Sequence, residues 1–157
     1  MVDRLKRVGS YRELLVYQKS RTLALEIFQA TKEFPKAEMY SLTDQIRRSS
    51  RSIGAQIAEA WAKRRYEKHF VSKLTDADGE QQETQHWIGI AYDCQYWDEA
   101  TAADLRDKCQ EIGCLLGGML EKSEQFSNSA SHTINEATVE YIISIPSTYD
   151  DKYCPTA

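Results

Sequence analysis

Arg47, Arg48, Arg51, Lys63, Arg64, Arg65 and Lys68 are the residues whose types and spacing are best suited to chemistry. Arg47 and Arg51 stand one helical turn apart and share a face, while Arg64, Arg65 and Lys68 gather near the start of the following helix. Guanidinium and ammonium groups neutralise phosphates, and Trp61 and Tyr66 lie close enough in the chain to offer rings for base stacking. Such a cluster is a candidate nucleic-acid interface. The same charges would serve equally as a solvated face salt-bridged to acidic helices. Residues 1–73 carry 16 Lys/Arg against 8 Asp/Glu, whereas residues 74–157 carry 4 against 16, so the overall charge of −4 conceals two halves of opposite sign. Both readings fit that asymmetry.

Other constellations are weak. No phosphate-cradling loop, dinucleotide glycine fingerprint or nucleophile elbow occurs. Glu83 and His86 form one Glu-x-x-His pair, but a carboxylate-bridged metal centre needs a second, and His69 is preceded at that spacing by Tyr66. Cys94, Cys109, Cys114 and Cys154 contain no C-x-x-C pair and read as apolar thiols. Cys109 and Cys114 would lie about 140° apart around a helix, too far to share a ligand. No catalytic residue, metal or cofactor is expected.

The elements that must carry the cations are helical. A first helix is predicted over about Tyr11–Glu33, with Ser10 as N-cap and Leu14, Tyr17, Ala24, Ile27, Phe28 and Thr31 facing inward, until Phe34-Pro35 stops it. A second runs from Ser41 or Thr43 to about Ala62 behind Ile46, Ser50, Ile53, Ile57 and Ala60 or Trp61. Its small residues, Gly54 among them, allow close approach by a neighbour. A third, about Tyr66–Trp97, carries Phe70, Leu74, Ala77, Gln81, Thr84, Ile88, Ala91 and Gln95 at alternating spacings of four and three, a heptad-like seam that continues across Asp78-Gly79-Glu80. A fourth, about Thr101–Phe126, turns Leu105, Cys109, Ile112, Leu116, Met119, Ser123 and Phe126 inward.

Two features exceed one bundle's needs. Trp87, Ile90, Cys94 and Trp97 form a second apolar stripe on the third helix, which predicts an oligomer interface. After residue 126 the chain turns polar, then alternates through Val139, Tyr141, Ile143 and Ile145 before Pro146, as a short extended segment able to engage a partner would. The expected organisation is an all-α, up-and-down four-helix bundle over residues 1–126 and a non-helical, extended or partly disordered tail over 127–157. No window reaches the roughly 18 apolar residues of a membrane span, and no signal-peptide run follows the N-terminus, so a cytoplasmic location is expected.

The runs Tyr11–Lys19, Phe34–Leu42, Gln45–Ile53 and Gln56–Ala60 resemble the bacterial four-helix-bundle proteins encoded in intervening sequences of large-subunit ribosomal RNA genes. The resemblance covers about residues 10–125 and departs from the family pattern at Gly54, at Gln56–Ala60 and at Gly79-Glu80. It implies a left-handed bundle, a homopentameric ring, an association with RNA or DNA, and no enzymatic activity. A related branch resembles the accessory proteins of diversity-generating retroelements, which implies a reverse transcriptase as an alternative partner.

Overall fold

In the computed structural model, which describes residues 8–128, apolar residues at spacings of three and four coil into four long helices. These are α1 (Leu15–Ala30), α2 (Leu42–Lys63), α3 (Glu67–Asp93) and α4 (Glu99–Glu121), followed by a short α5 (Ser123–Asn128). Each long helix packs on its chain neighbours, and α1 closes the ring against α4. Contacts fix the directions. Arg47 meets Thr31 and Gly54 meets Ser20 across α1–α2, Ser49 meets Thr84 and Gln56 meets Lys73 across α2–α3, and Lys19 and Glu26 meet Glu111 and Lys108 across α1–α4. Every neighbouring pair is therefore antiparallel, as connections too short to cross the bundle require.

Ile27, Ile46, Ile53, Ile57, Phe70, Leu74, Ile88, Ile112 and Leu116 are fully enclosed at the centre. The second helix stripe lies as its spacing predicts, joined by Leu42, Thr43 and Ser49, and all seven inward residues expected after Thr101 are buried. The α3 seam is buried from Phe70 to Ala91, and the helix continues unbroken through Gly79. After α4, Lys122 interrupts the helix and α5 carries Phe126 onto Phe70, with ring centroids 5.5 Å apart. Helix continues to Asn128, two residues beyond the expected boundary.

Two predictions need correction. Ser10 caps a single 3-10 turn, Tyr11–Glu13, and Leu14 is extended, so α1 starts at Leu15 and buries Val16, Ser20, Leu23 and Ile27; Tyr17, Ala24 and Phe28 are only half-buried. The third helix ends at Asp93 because Gln95 adopts φ 60°. The Tyr96 amide then donates to Ala91 O and the Gln95 amide to Tyr92 O, the paired bonds of a Schellman terminus with glutamine in the place glycine usually takes. That turn swings Trp97 back inside.

Candidate nucleic-acid interface

Structure separates the predicted cations into two groups. Arg47, Arg48 and Arg51 occupy the first part of α2, while Lys63, Arg64, Arg65 and Lys68 surround its exit, about 25 Å further along at 1.5 Å per residue. They form no single patch. Arg48 lies 3.6 Å from Asp44 and Lys63 lies 3.9 Å from Glu59, both one turn away on the same helix. Arg47, Arg51, Arg64, Arg65 and Lys68 have no ion pair among the described residues.

At the α2–α3 corner, the Arg64 guanidinium lies 4.2 Å from the centre of the Trp61 ring and donates from Nη1 to Trp61 O at 2.7 Å. Trp61 is buried, so it anchors Arg64 instead of offering its face to a base. Tyr66 is 63% exposed and stands edge-on to His69, with Arg65 and Lys68 exposed beside it in the chain.

On the α1–α2 face the arrangement is tighter. Arg21, Leu25, Phe28 and Lys32 recur on α1 and just past it at spacings of four, three and four, which aligns them on one outer stripe. Across from them, the Arg47 and Arg51 guanidiniums lie 4.9 and 5.6 Å from the Phe28 ring centre, and the Lys32 ammonium lies 5.1 Å from it. Arg47 Nε also donates to Thr31 Oγ1 at 2.7 Å. Thr31 is buried and donates its own hydrogen to Ile27 O at 2.8 Å, so its oxygen lone pairs face the guanidinium. Sequence reasoning assigned Phe28 and Thr31 to the core and left Arg21 and Lys32 out. The four-three-four stripe ending in a cation at each side was the available signal.

Elsewhere four cations are locked to acids. Lys108 bridges Glu26 at 2.6 Å and Asp104 at 2.7 Å, Lys19 meets Glu111 at 2.7 Å, Arg106 meets Glu99 at 2.8 Å, and Lys73 meets both Glu59 and Asp76. Of these pairs between helices, Lys19–Glu111 joins the basic half to an acid of the acidic half, whereas Lys73–Glu59 lies wholly within residues 1–73 and Lys108–Glu26 runs the other way. None of them neutralises Lys32, Arg47 or Arg51 on the outer α1–α2 face.

The expected oligomer stripe is also divided. Trp87 and Ile90 are half-buried against the core and Cys94 is exposed, but Trp97 belongs to the chain's own interior, donating Nε1–H to Ala30 O at 3.2 Å and packing 5.0 Å from Phe34. Trp97 is withdrawn from that face because α3 stops before it. Of the thiols, Cys109 is buried and its pKa is pushed up to about 12 by desolvation, whereas Cys94 at the surface departs from the apolar reading. His86 stands edge-on to Trp87, which donates to Glu83 at 3.0 Å. Val139, Tyr141, Ile143 and Ile145 lie outside the described residues. Among those described, no helix is long and apolar enough to cross a membrane.

A ring of four antiparallel helices with an unneutralised basic outer face defines a class of small all-α bundle. Residues 12–118 match the family model described as 23S rRNA-intervening sequence protein, and the chain belongs to that family. It is also similar to a crystal structure from Bacteroides thetaiotaomicron VPI-5482, described as a protein with unknown function from the S23 ribosomal protein family. The likeness has a TM-score of 0.62 and 28% sequence identity, over 68% of this chain and 96% of that one. No curated protein matches the chain.

Proposed function

We propose that this chain is a non-catalytic, cytoplasmic, RNA-associated protein that acts as a homo-oligomer, a pentameric ring being the form the family resemblance implies. The observation that carries the reading is the sorting of its cations. Lys19, Lys73, Arg106 and Lys108 are consumed by carboxylates, while Arg47, Arg51, Arg64, Arg65 and Lys68 reach the surface with none. A protein whose net charge is −4 gains nothing in solubility from concentrating unpaired cations, but a polyanion ligand gains a binding face. Half-buried Trp87 and Ile90 supply apolar surface for a second copy, and repetition around a ring would multiply weak contacts.

The test is RNA binding by the full chain across a salt series, with the oligomer read by sedimentation and RNA integrity followed on a gel. Expected are a linear fall of log affinity with log salt, an Arg47→Ala, Arg51→Ala, Arg64→Ala variant with a shallower slope, and intact RNA. Absence of binding at low salt would sink the proposal.

A further inference from the structure

We infer that the outer α1–α2 face is a track for a phosphodiester backbone, in which Phe28 positions Lys32, Arg47 and Arg51 for the phosphates. This rests on the RNA reading above and deepens it by naming the site, the contacted part of the ligand and a positioning residue that carries no charge.

Three cations converge on one phenyl ring, at 4.9, 5.1 and 5.6 Å from its centre, and among the described residues none has a carboxylate within ion-pair distance. Like charges gathered this way repel, and the ring's negative face offsets only part of that. A bound anion removes the rest. Preorganisation is visible in Arg47: Thr31 holds its Nε from inside, and the ring sits beside its guanidinium. Its two Nη groups make no hydrogen bond among the described residues. A guanidinium fixed by one edge presents the remaining donors as a fork, the geometry that suits phosphate oxygens.

The shape favours an extended ligand. From Lys32 to Arg21 the α1 stripe spans about 16 Å, and α2 runs alongside in the opposite direction with Arg47 and Arg51. Apart from the cations, whose donors suit phosphates and base edges alike, the stripe presents apolar surface: Leu25 is 58% exposed, and Ala55 is exposed on the α2 side. A row of cations separated by apolar groups favours the backbone, the part of the ligand that every sequence shares. An acidic protein segment would meet the charges but not match a regular row of phosphates.

Full-length variants titrated with labelled RNAs of unrelated sequence, over a salt series, test this. Arg47→Gln and Arg51→Gln should each weaken binding to every RNA alike and lower the salt slope by about one. Phe28→Leu should weaken binding about fivefold with the salt slope unchanged, since the charges remain but lose their support, and Phe28→Tyr should restore it. Thermal melting checks that each variant is folded. Wild-type affinity and slope in the Arg47→Gln, Arg51→Gln double variant, with loss confined to an Arg65→Gln, Lys68→Gln variant, would overturn the track while leaving RNA association standing. Equal binding of Phe28→Leu and wild type would overturn the role of the ring. Failure of the unmodified chain to bind any RNA at low salt, with or without capture of poly-glutamate, would overturn the RNA reading and the track together.

Discussion

The α1–α2 face and the α3–α4 side put their polar residues to opposite ends. On the first, Lys32, Arg47 and Arg51 surround Phe28 with no acid among them. On the second, polar groups satisfy one another: Gln81, almost wholly buried, donates to Asp78 and accepts from Gln85, and its amide lies beneath Gly113 of α4. A Cβ at residue 113 would stand 2.5 Å from Gln81 Nε2, so glycine there makes room for the amide. One side spends its polar atoms on the fold. The other leaves them facing outward, and that contrast supports the proposed binding surface more sharply than charge counting does.

Reversing the outer charges should give the largest effect. Arg47→Glu with Arg51→Glu is expected to lower RNA affinity at low salt on the order of 100-fold, because two phosphate contacts become repulsions. Urea unfolding of the same variant should change by about 1 kcal/mol or less, from loss of the Arg47–Thr31 hydrogen bond and the ring contacts. Gln81→Ala should do the reverse. Removing that amide leaves a cavity and strips Gln85 and Asp78 of a partner, costing about 1–3 kcal/mol in stability with RNA affinity unchanged. If both variants moved binding and stability together, the separation of roles would collapse.

Much of the architecture was legible in the residues, and the failures share a cause. Periodicity placed the buried faces of α2, α3 and α4, since Ile53, Leu74 and Leu116 each recur in a long, regular apolar pattern. It misplaced Phe28 because a half-buried ring beneath cations has the same hydropathy as a core ring. It misplaced Trp97 because the turn at Gln95 lacks the glycine that usually signals a left-handed residue, so the apolar register seemed to run on. The basic residues were visible as a group, and spacings of four in the sequence expose the Arg48–Asp44, Lys63–Glu59 and Lys108–Asp104 pairs. The pairs between helices are a property of the packed state. No linear spacing exposes Lys19–Glu111, Lys73–Glu59 or the second partner of Lys108, Glu26.

Lys108→Met tests the paired class directly. Its ammonium holds Glu26 and Asp104 near the surface, with roughly a third of the side chain exposed, so the net contribution is screened. A loss of about 1 kcal/mol or less is expected, shrinking further as salt is added. Its RNA affinity should stay within about twofold of wild type, because a cation already engaged by two carboxylates releases few phosphate counterions. A drop as large as that of Arg47→Gln would show that pairing does not decide which cations bind.

The smallest effect concerns the acid side of the same comparison. Burial raises the pKa of Asp78 above the ordinary carboxylate range, and the hydrogen bond from Gln81 only partly opposes it; Glu80 is raised by burial and by nearby Glu83. For an acid whose folded pKa is raised, the native state binds more protons than the unfolded chain between the two pKa values, so stability falls as pH rises through that window and is flat above it. Asp78→Asn removes the penalised charge while keeping an oxygen to accept from Gln81. It should therefore melt slightly higher than wild type at neutral pH and lose part of the rise in stability on mild acidification. Glu38 supplies the opposite sign: hydrogen bonds from Ser41 and Tyr96 hold its pKa low, so its contribution is present at neutral pH and disappears as pH falls through its depressed value. Melting temperatures of Asp78→Asn and Glu38→Gln should thus lie on opposite sides of wild type at neutral pH and approach it from those sides as each wild-type carboxylate is protonated. An Asp78→Asn chain that melts lower at neutral pH would mean that the carboxylate, charge included, is needed by the α3–α4 seam, and the polar side of the molecule would no longer be explained by burial.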